Sequence, residues 1–96
     1  MTLEELYNTI LSRKKEMPEG SYVVSLFRDG DDRIIQKVGE EAVEVVIAAK
    51  NESQERIISE VADLTFHTLI LLASRGIKPS EILSELEKRK LASNKK

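Results

Sequence analysis

At 96 residues the chain is one domain, residues 1–96, too small to bury a large share of its surface, so association is expected to contribute to its stability. Apolar residues make up 41%, charged residues 33% and aromatics 4%, so aliphatic side chains must build the core, and the absence of cysteine excludes disulfides and thiolate metal sites. The net charge of −2 selects no partner. Without a charged leader before an apolar core, and without an uncharged apolar run long enough to span a bilayer, the expectation is a cytoplasmic protein that engages neither membrane nor nucleic acid; the basic end (Lys88, Arg89, Lys90, Lys95, Lys96) reads as solvated.

The first helix is expected from Thr2 to about Met17, with Leu3, Leu6, Tyr7, Ile10 and Leu11 at helical spacing and Thr2 as N-cap. Pro18 ends it. Ser21 to Gly30 is rich in β-branched and aromatic residues but has no partner strand, and reads as an ordered loop with at most a helical turn. The second helix spans about Asp32 to Lys50, and Asn51-Glu52-Ser53 breaks it, with Asn51 or Ser53 as the next cap. The third runs from about Gln54 to Ser74 and stops at Gly76. Pro79 opens the fourth, whose apolar stripe is Ile82, Leu83, Leu86 and Leu91, with residues 92–96 frayed. Short connections make the helices antiparallel neighbours in an all-α bundle of four to five helices.

Charge placement is the informative feature. On the second helix Ile34, Ile35, Val38, Ala42, Val45, Val46 and Ala49 fall in one stripe, taken as the core face, with Val43 and Ile47 nearly opposite. Lys37, Glu41 and Glu44 occupy a sector between these two apolar faces, with Glu40 at its edge. The third helix is apolar around almost its full circumference and is expected to be buried all round; Glu60, Asp63, His67 and Ser74 form its one polar stripe. Carboxylates on segments this apolar need a positive partner. One answer is structural salt bridges, for which the local supply of bases is Lys37 and little else. The other is a divalent cation: oxygen donors without sulfur favour Mg²⁺, with Mn²⁺ as the alternative. The Glu-x-x-His motifs of a di-iron bundle are absent.

Glu40-Glu41-x-x-Glu44 followed by Glu60-x-x-Asp63 resembles the bipartite signature of the all-α nucleoside triphosphate pyrophosphohydrolases, the MazG-like superfamily. With Ser21-Tyr22, Gln36-Lys37-Val38-Gly39 ahead of Glu40, and Ala62-Asp63-Leu64-x-x-His67, the chain from Ser21 to Arg89 resembles the phosphoribosyl-ATP pyrophosphohydrolases of histidine biosynthesis. Thr65-Phe66 stands where that family is expected to carry a leucine-tyrosine type pair, a conservative departure. The resemblance implies Mg²⁺-dependent hydrolysis of phosphoribosyl-ATP to phosphoribosyl-AMP and pyrophosphate. It implies metal ligands at Glu41, Glu44, Glu60 and Asp63, with Glu40 either an outer ligand or the group that orients water, so Glu40, Glu41 and Glu44 are the candidate catalytic residues. The chemistry agrees, because a departing pyrophosphate needs its charge neutralised and acidic clusters hold Mg²⁺ against phosphate oxygens for that purpose.

Substrate-side candidates are Lys37, Arg33, Arg28, Arg89, Lys88, His67, Ser21 and Tyr22, each with a plain alternative as an ion-pair partner, a core side chain or solvated surface. Gly39 inside a helix suggests close approach of a neighbouring helix or a ligand. The two apolar faces of the second helix, with the resemblance, imply a homodimer that completes the bundle. The partner enzyme phosphoribosyl-AMP cyclohydrolase, fused to this family in some chains, has no counterpart in the sequence, and coupling to it is left open. Two other functions share features of the chain: a house-cleaning pyrophosphatase for deoxynucleotide or damaged triphosphates, and a metal-free helical interaction module, which leaves the inward carboxylates unexplained.

Overall fold

The computed structural model describes residues 1–51 and 53–91, side chains through residue 90. It contains five helices and, among the described residues, no strand: α1 (Leu3–Glu16), α2 (Tyr22–Asp29), α3 (Asp31–Asn51), α4 (Gln54–Arg75) and α5 (Pro79–Leu91). Local chemistry sets their ends. Thr2 closes a capping box with Glu5, each side chain accepting from the other's backbone N–H at 3.0 Å. Ser53 caps α4 and Gly76, at φ 68°, closes it in the left-handed conformation. Pro79 begins α5. The expected fraying of 92–96 and the Glu52 position of the interhelix break lie outside the described residues.

The segment Ser21 to Gly30 departs from the sequence expectation. It is a two-turn helix, α2, capped by the Ser21 hydroxyl, which accepts from the Val24 N–H at 3.3 Å, and terminated at Gly30 with φ 102°. Val23, Val24 and Leu26 are buried by it. β-branched residues weakly disfavour helices, but burial of that apolar face against α1 and α3 outweighs a preference of a few tenths of a kcal/mol per residue.

The frame is an α3–α4 hairpin. Its antiparallel sense is fixed at the open end by Arg75 Nη2, which donates to Asp31 Oδ2 at 2.8 Å and so joins the end of α4 to the start of α3. α1 packs on α4 and α2, α2 also packs on α3, and α5 packs on α1. Lys14 on α1 donates to the carbonyl of Ala73 at 3.1 Å, satisfying an acceptor in the last turn of α4. The core lies toward that same end: Tyr7 and Ile10 from α1, Val23 and Leu26 from α2, Ile34 from α3, and Leu69, Ile70, Leu72 and Ala73 from α4.

The inward face of α3 is rotated from the expected one. Ile34, Val38, Ala42 and Val45 of the expected face are shielded together with Lys37, Glu41, Glu44 and Ala48, whereas Ile35, Val43, Val46, Ile47 and Ala49 are exposed. The acidic sector therefore turns toward α4 and much of the apolar surface turns out. α4 is likewise not buried all round. Its first half exposes Ile58 and Val61, Ile58 at 62%, because none of the described helices covers that side. By length and composition α4 could cross a bilayer, a test that the core helix of a soluble protein also passes. The α5 residues Ile82, Leu83 and Leu86 are exposed too, lining a groove of about 540 Å³ with Leu3 of α1 and Leu64, Leu69 and Leu72 of α4.

Candidate active site

Away from the core end, α3 and α4 bring together three carboxylates. Oxygens of Glu41, Glu60 and Asp63 all lie within 4.8 Å of one another. Glu60 is 6% exposed, while Asp63 opens to solvent. Helical spacing explains the group: Glu60 and Asp63 are three apart on α4 and so share a face, and the antiparallel hairpin sets Glu41 opposite.

Two cations sit beside this group, each one turn before the carboxylate it meets. Lys37 Nζ lies 3.2 Å from Glu41 Oε2 and 3.6 Å from Glu40 Oε1. Arg56 Nη2 pairs with Glu60 Oε2. The supply of bases is thus larger than the sequence reading allowed. The signal for Arg56 was present, since Arg56 stands to Glu60 as Lys37 stands to Glu41, four residues earlier on the same helix. The hydrogen bond to Glu41 raises the Lys37 pKa above its ordinary value, against the opposing effect of burial, so the ammonium keeps its charge at neutral pH.

The remaining candidates divide. Glu44 is partly shielded one turn beyond Glu41 on α3, outside the group of three. Glu40 faces the exposed side, where Gln36 donates to it at 2.9 Å and Arg33 lies 3.9 Å away; Gln36 is a partner that sequence reasoning did not single out. Ser21 is committed to capping α2 and accepts from Arg13 at 3.4 Å. Arg28 and Lys88 are exposed, and Arg89 lies on α5, paired with Glu85 at 3.1 Å. His67 is 6% exposed and carries partners on both ring nitrogens: the Asp63 carbonyl at Nδ1 and the Tyr22 hydroxyl at Nε2, each 2.7 Å away.

The donor set at Glu41, Glu60 and Asp63 is all carboxylate oxygen, hard and anionic, and fits Mg²⁺ or Mn²⁺ better than any soft metal. The family model for phosphoribosyl-ATP pyrophosphohydrolase matches residues 3–90 of the chain, spanning all five helices. The chain belongs to the phosphoribosyl-ATP pyrophosphohydrolase family. Members similar to it include the phosphoribosyl-ATP pyrophosphatase of Metallosphaera sedula, 53% identical over 91% of this chain and 94% of that protein. That of Leptospira biflexa is 52% identical over 91% and 95%. That of Pelotomaculum thermopropionicum is 47% identical over 92% and 90%. Phosphoribosyl-ATP pyrophosphohydrolases are hydrolytic enzymes, and in this family member the carboxylates of Glu41, Glu60 and Asp63 concentrate negative charge between α3 and α4.

Proposed function

We propose that the chain hydrolyses 1-(5-phosphoribosyl)-ATP to 1-(5-phosphoribosyl)-AMP and pyrophosphate, the second step of histidine biosynthesis, as a cytoplasmic Mg²⁺-dependent enzyme that Mn²⁺ can also serve. The observation that carries this reading is the convergence of Glu41, Glu60 and Asp63 on the inward faces of α3 and α4, where an apolar hairpin would otherwise bury valine and leucine. Family membership supports it. Glu41, Glu60 and Asp63 would hold the cation, with Glu44 one turn along α3 completing the set. When bound, the ion neutralises phosphate charge and acidifies water.

The chain's own residues do the rest. Water adds across the anhydride between the α and β phosphoryl groups: its oxygen bonds to phosphorus, the bridging P–O bond breaks, and pyrophosphate leaves with the electron pair. The proton passes to a carboxylate, for which Glu40 and Glu44 are placed on the same helix as Glu41. Lys37, kept charged by Glu41, is available to meet phosphate oxygens as the substrate enters, with Arg33 beside it on α3. Serine and cysteine nucleophiles are not required.

The active form is a homodimer. Ile35, Val43, Val46 and Ile47 on α3 and Ile58 and Val61 on α4 are exposed in the single chain, a run of apolar surface that a monomer rarely leaves open. Gly39 lies on the same α3 stripe, and among the described residues no atom beyond its own neighbours and adjacent helix backbone lies within 4 Å of where its Cβ would be. The close approach expected at this glycine is therefore assigned to a second copy.

Pyrophosphate release with Mg²⁺ and phosphoribosyl-ATP, alongside a panel of deoxynucleoside triphosphates, tests the reading. The expected result is turnover of phosphoribosyl-ATP and not of the panel; turnover of the panel alone would replace it with the house-cleaning function. Asp63→Asn and Glu44→Gln are expected to cut turnover at least about 100-fold while leaving a folded protein.

A further inference from the structure

Resting on the nucleotide reading above, the structure points to a role for the Tyr22–His67 pair that the carboxylate chemistry does not use. Tyr22 is the first residue of α2, and its backbone is fixed by the Ser21 cap. Its side chain is fixed at the other end. The His67 Nδ1 faces the carbonyl of Asp63 at 2.7 Å, and a carbonyl only accepts, so Nδ1 carries the proton. Nε2 is then the acceptor, and the Tyr22 hydroxyl donates to it at 2.7 Å. The Tyr22 ring stands edge-on to the imidazole, centroids 5.6 Å apart at 80°, and Phe66 closes the other side of His67 in the same manner. His67 is held on three sides, and through it Tyr22 is pinned to the turn of α4 that carries Asp63.

Tyr22 as a residue is nevertheless 48% exposed. Of the chain's two tyrosines and two phenylalanines, Tyr7 is buried and Phe27 and Phe66 are partly shielded, so Tyr22 is the one that presents itself to solvent. The turn of α4 to which it is pinned carries Asp63, whose carboxylate meets Glu41 and Glu60, and Lys37 pairs with that same Glu41. A rigid aromatic surface therefore stands beside a cation and three carboxylates suited to a metal–phosphate group. A rotamer already fixed loses little freedom when something stacks on it. The matching ligand carries a heteroaromatic base at one end and a phosphate chain at the other.

We propose that Tyr22 is the platform on which the base of the nucleotide substrate stacks, and that His67 is the positioning residue that holds the platform beside the carboxylates. The test is a calorimetric titration of wild type, Tyr22→Phe and Tyr22→Leu, with Mg²⁺ present, using AMP as base-bearing probe and tripolyphosphate as base-free probe. Tyr22→Leu is expected to weaken AMP binding roughly tenfold, a typical loss for an aromatic–base stack, and to leave tripolyphosphate unchanged. Tyr22→Phe keeps the ring but loses the bond to His67, so it and His67→Gln are both expected to weaken AMP binding by no more than about threefold, between wild type and Tyr22→Leu. In turnover, Tyr22→Leu raises KM with little change in kcat. Equal losses for both probes, no loss for either, or a fall confined to kcat would overturn the proposal. Should Tyr22→Leu not melt cooperatively, a tenfold loss of AMP binding in Tyr22→Phe would overturn it instead. A wild-type protein that binds AMP in this Tyr22-dependent way yet does not turn over phosphoribosyl-ATP would sink the assigned reaction and leave the platform standing.

Discussion

The two halves of α4 are built from the same apolar residue types and have opposite fates. Leu69, Ile70, Leu72 and Ala73 in the second half are sealed by α1, α2 and the start of α3. Ile58, Val61 and Ala62 in the first half face outward, Ile57 and Leu64 are partly shielded, and the one fully buried position there is Glu60, opposite Glu41 on α3. One half is a core that this chain closes by itself. The other buries the Glu60 carboxylate and leaves Ile58 and Val61 exposed in the single chain. A helix can thus be apolar all round without being buried all round.

Truncation at matched positions would break this comparison most visibly. Ile70→Ala removes a fully enclosed side chain and is expected to cost about 2–5 kcal/mol in denaturant unfolding at any protein concentration. Ile58→Ala in the dilute monomer is expected to cost no more than about 0.5 kcal/mol, rising as concentration drives association. Equal costs in dilute solution would mean that the first half of α4 is covered within one chain.

A smaller effect sharpens the association claim. Among the described residues, alanine at 39 would meet no atom beyond its own stretch of helix, so Gly39→Ala should stabilise the isolated helix by up to about 1 kcal/mol. If a second copy packs on that stripe, the added methyl instead weakens the dimer, and sedimentation should record more monomer. A raised melting temperature with an unaltered dimer would remove α3 from the interface.

The smallest effect is a pH dependence to which one group at each end of the molecule contributes. Burial raises the Tyr7 pKa above 10.0, aided by Glu81 and Glu4, and the hydrogen bond to Glu41 raises that of Lys37 above 10.5. Both groups hold their protons more tightly when folded. Their stabilising contributions are complete below the unfolded pKa values and fade as pH rises through the folded ones. Melting temperature should therefore fall above about pH 10, and Tyr7→Phe should make the fall shallower; an unchanged slope would exclude Tyr7 as a cause.

Helix ends were legible because they are local: Thr2, Ser53, Gly76 and Pro79 each act within a turn. The helical state of α2 was not, since its valines and aromatics suit either conformation and only packing against α1 and α3 decides. The rotation of α3 was hidden for a related reason. Periodicity groups residues into stripes, but two apolar stripes flanking an acidic one leave open which faces the neighbour. Ordinary burial preferences favoured Ile35 and Val46 inward, and Val46 is instead 60% exposed with Glu41 shielded. The pairing of carboxylates from α3 and α4 was legible from spacing alone, while Arg56 as the counter-charge of Glu60 and the Tyr22–His67 bond needed the fold.

The claim on which the rest depends is that the inward carboxylates form a cation site. Electron paramagnetic resonance of Mn²⁺ added to the purified protein tests it without recourse to turnover. The expectation is saturable binding that Mg²⁺ displaces, weakened at least about tenfold by Glu41→Gln or Asp63→Asn and unaffected by Glu16→Gln on the exposed side of α1. Binding that survives both inward substitutions, or that is absent from the wild type, would contradict it.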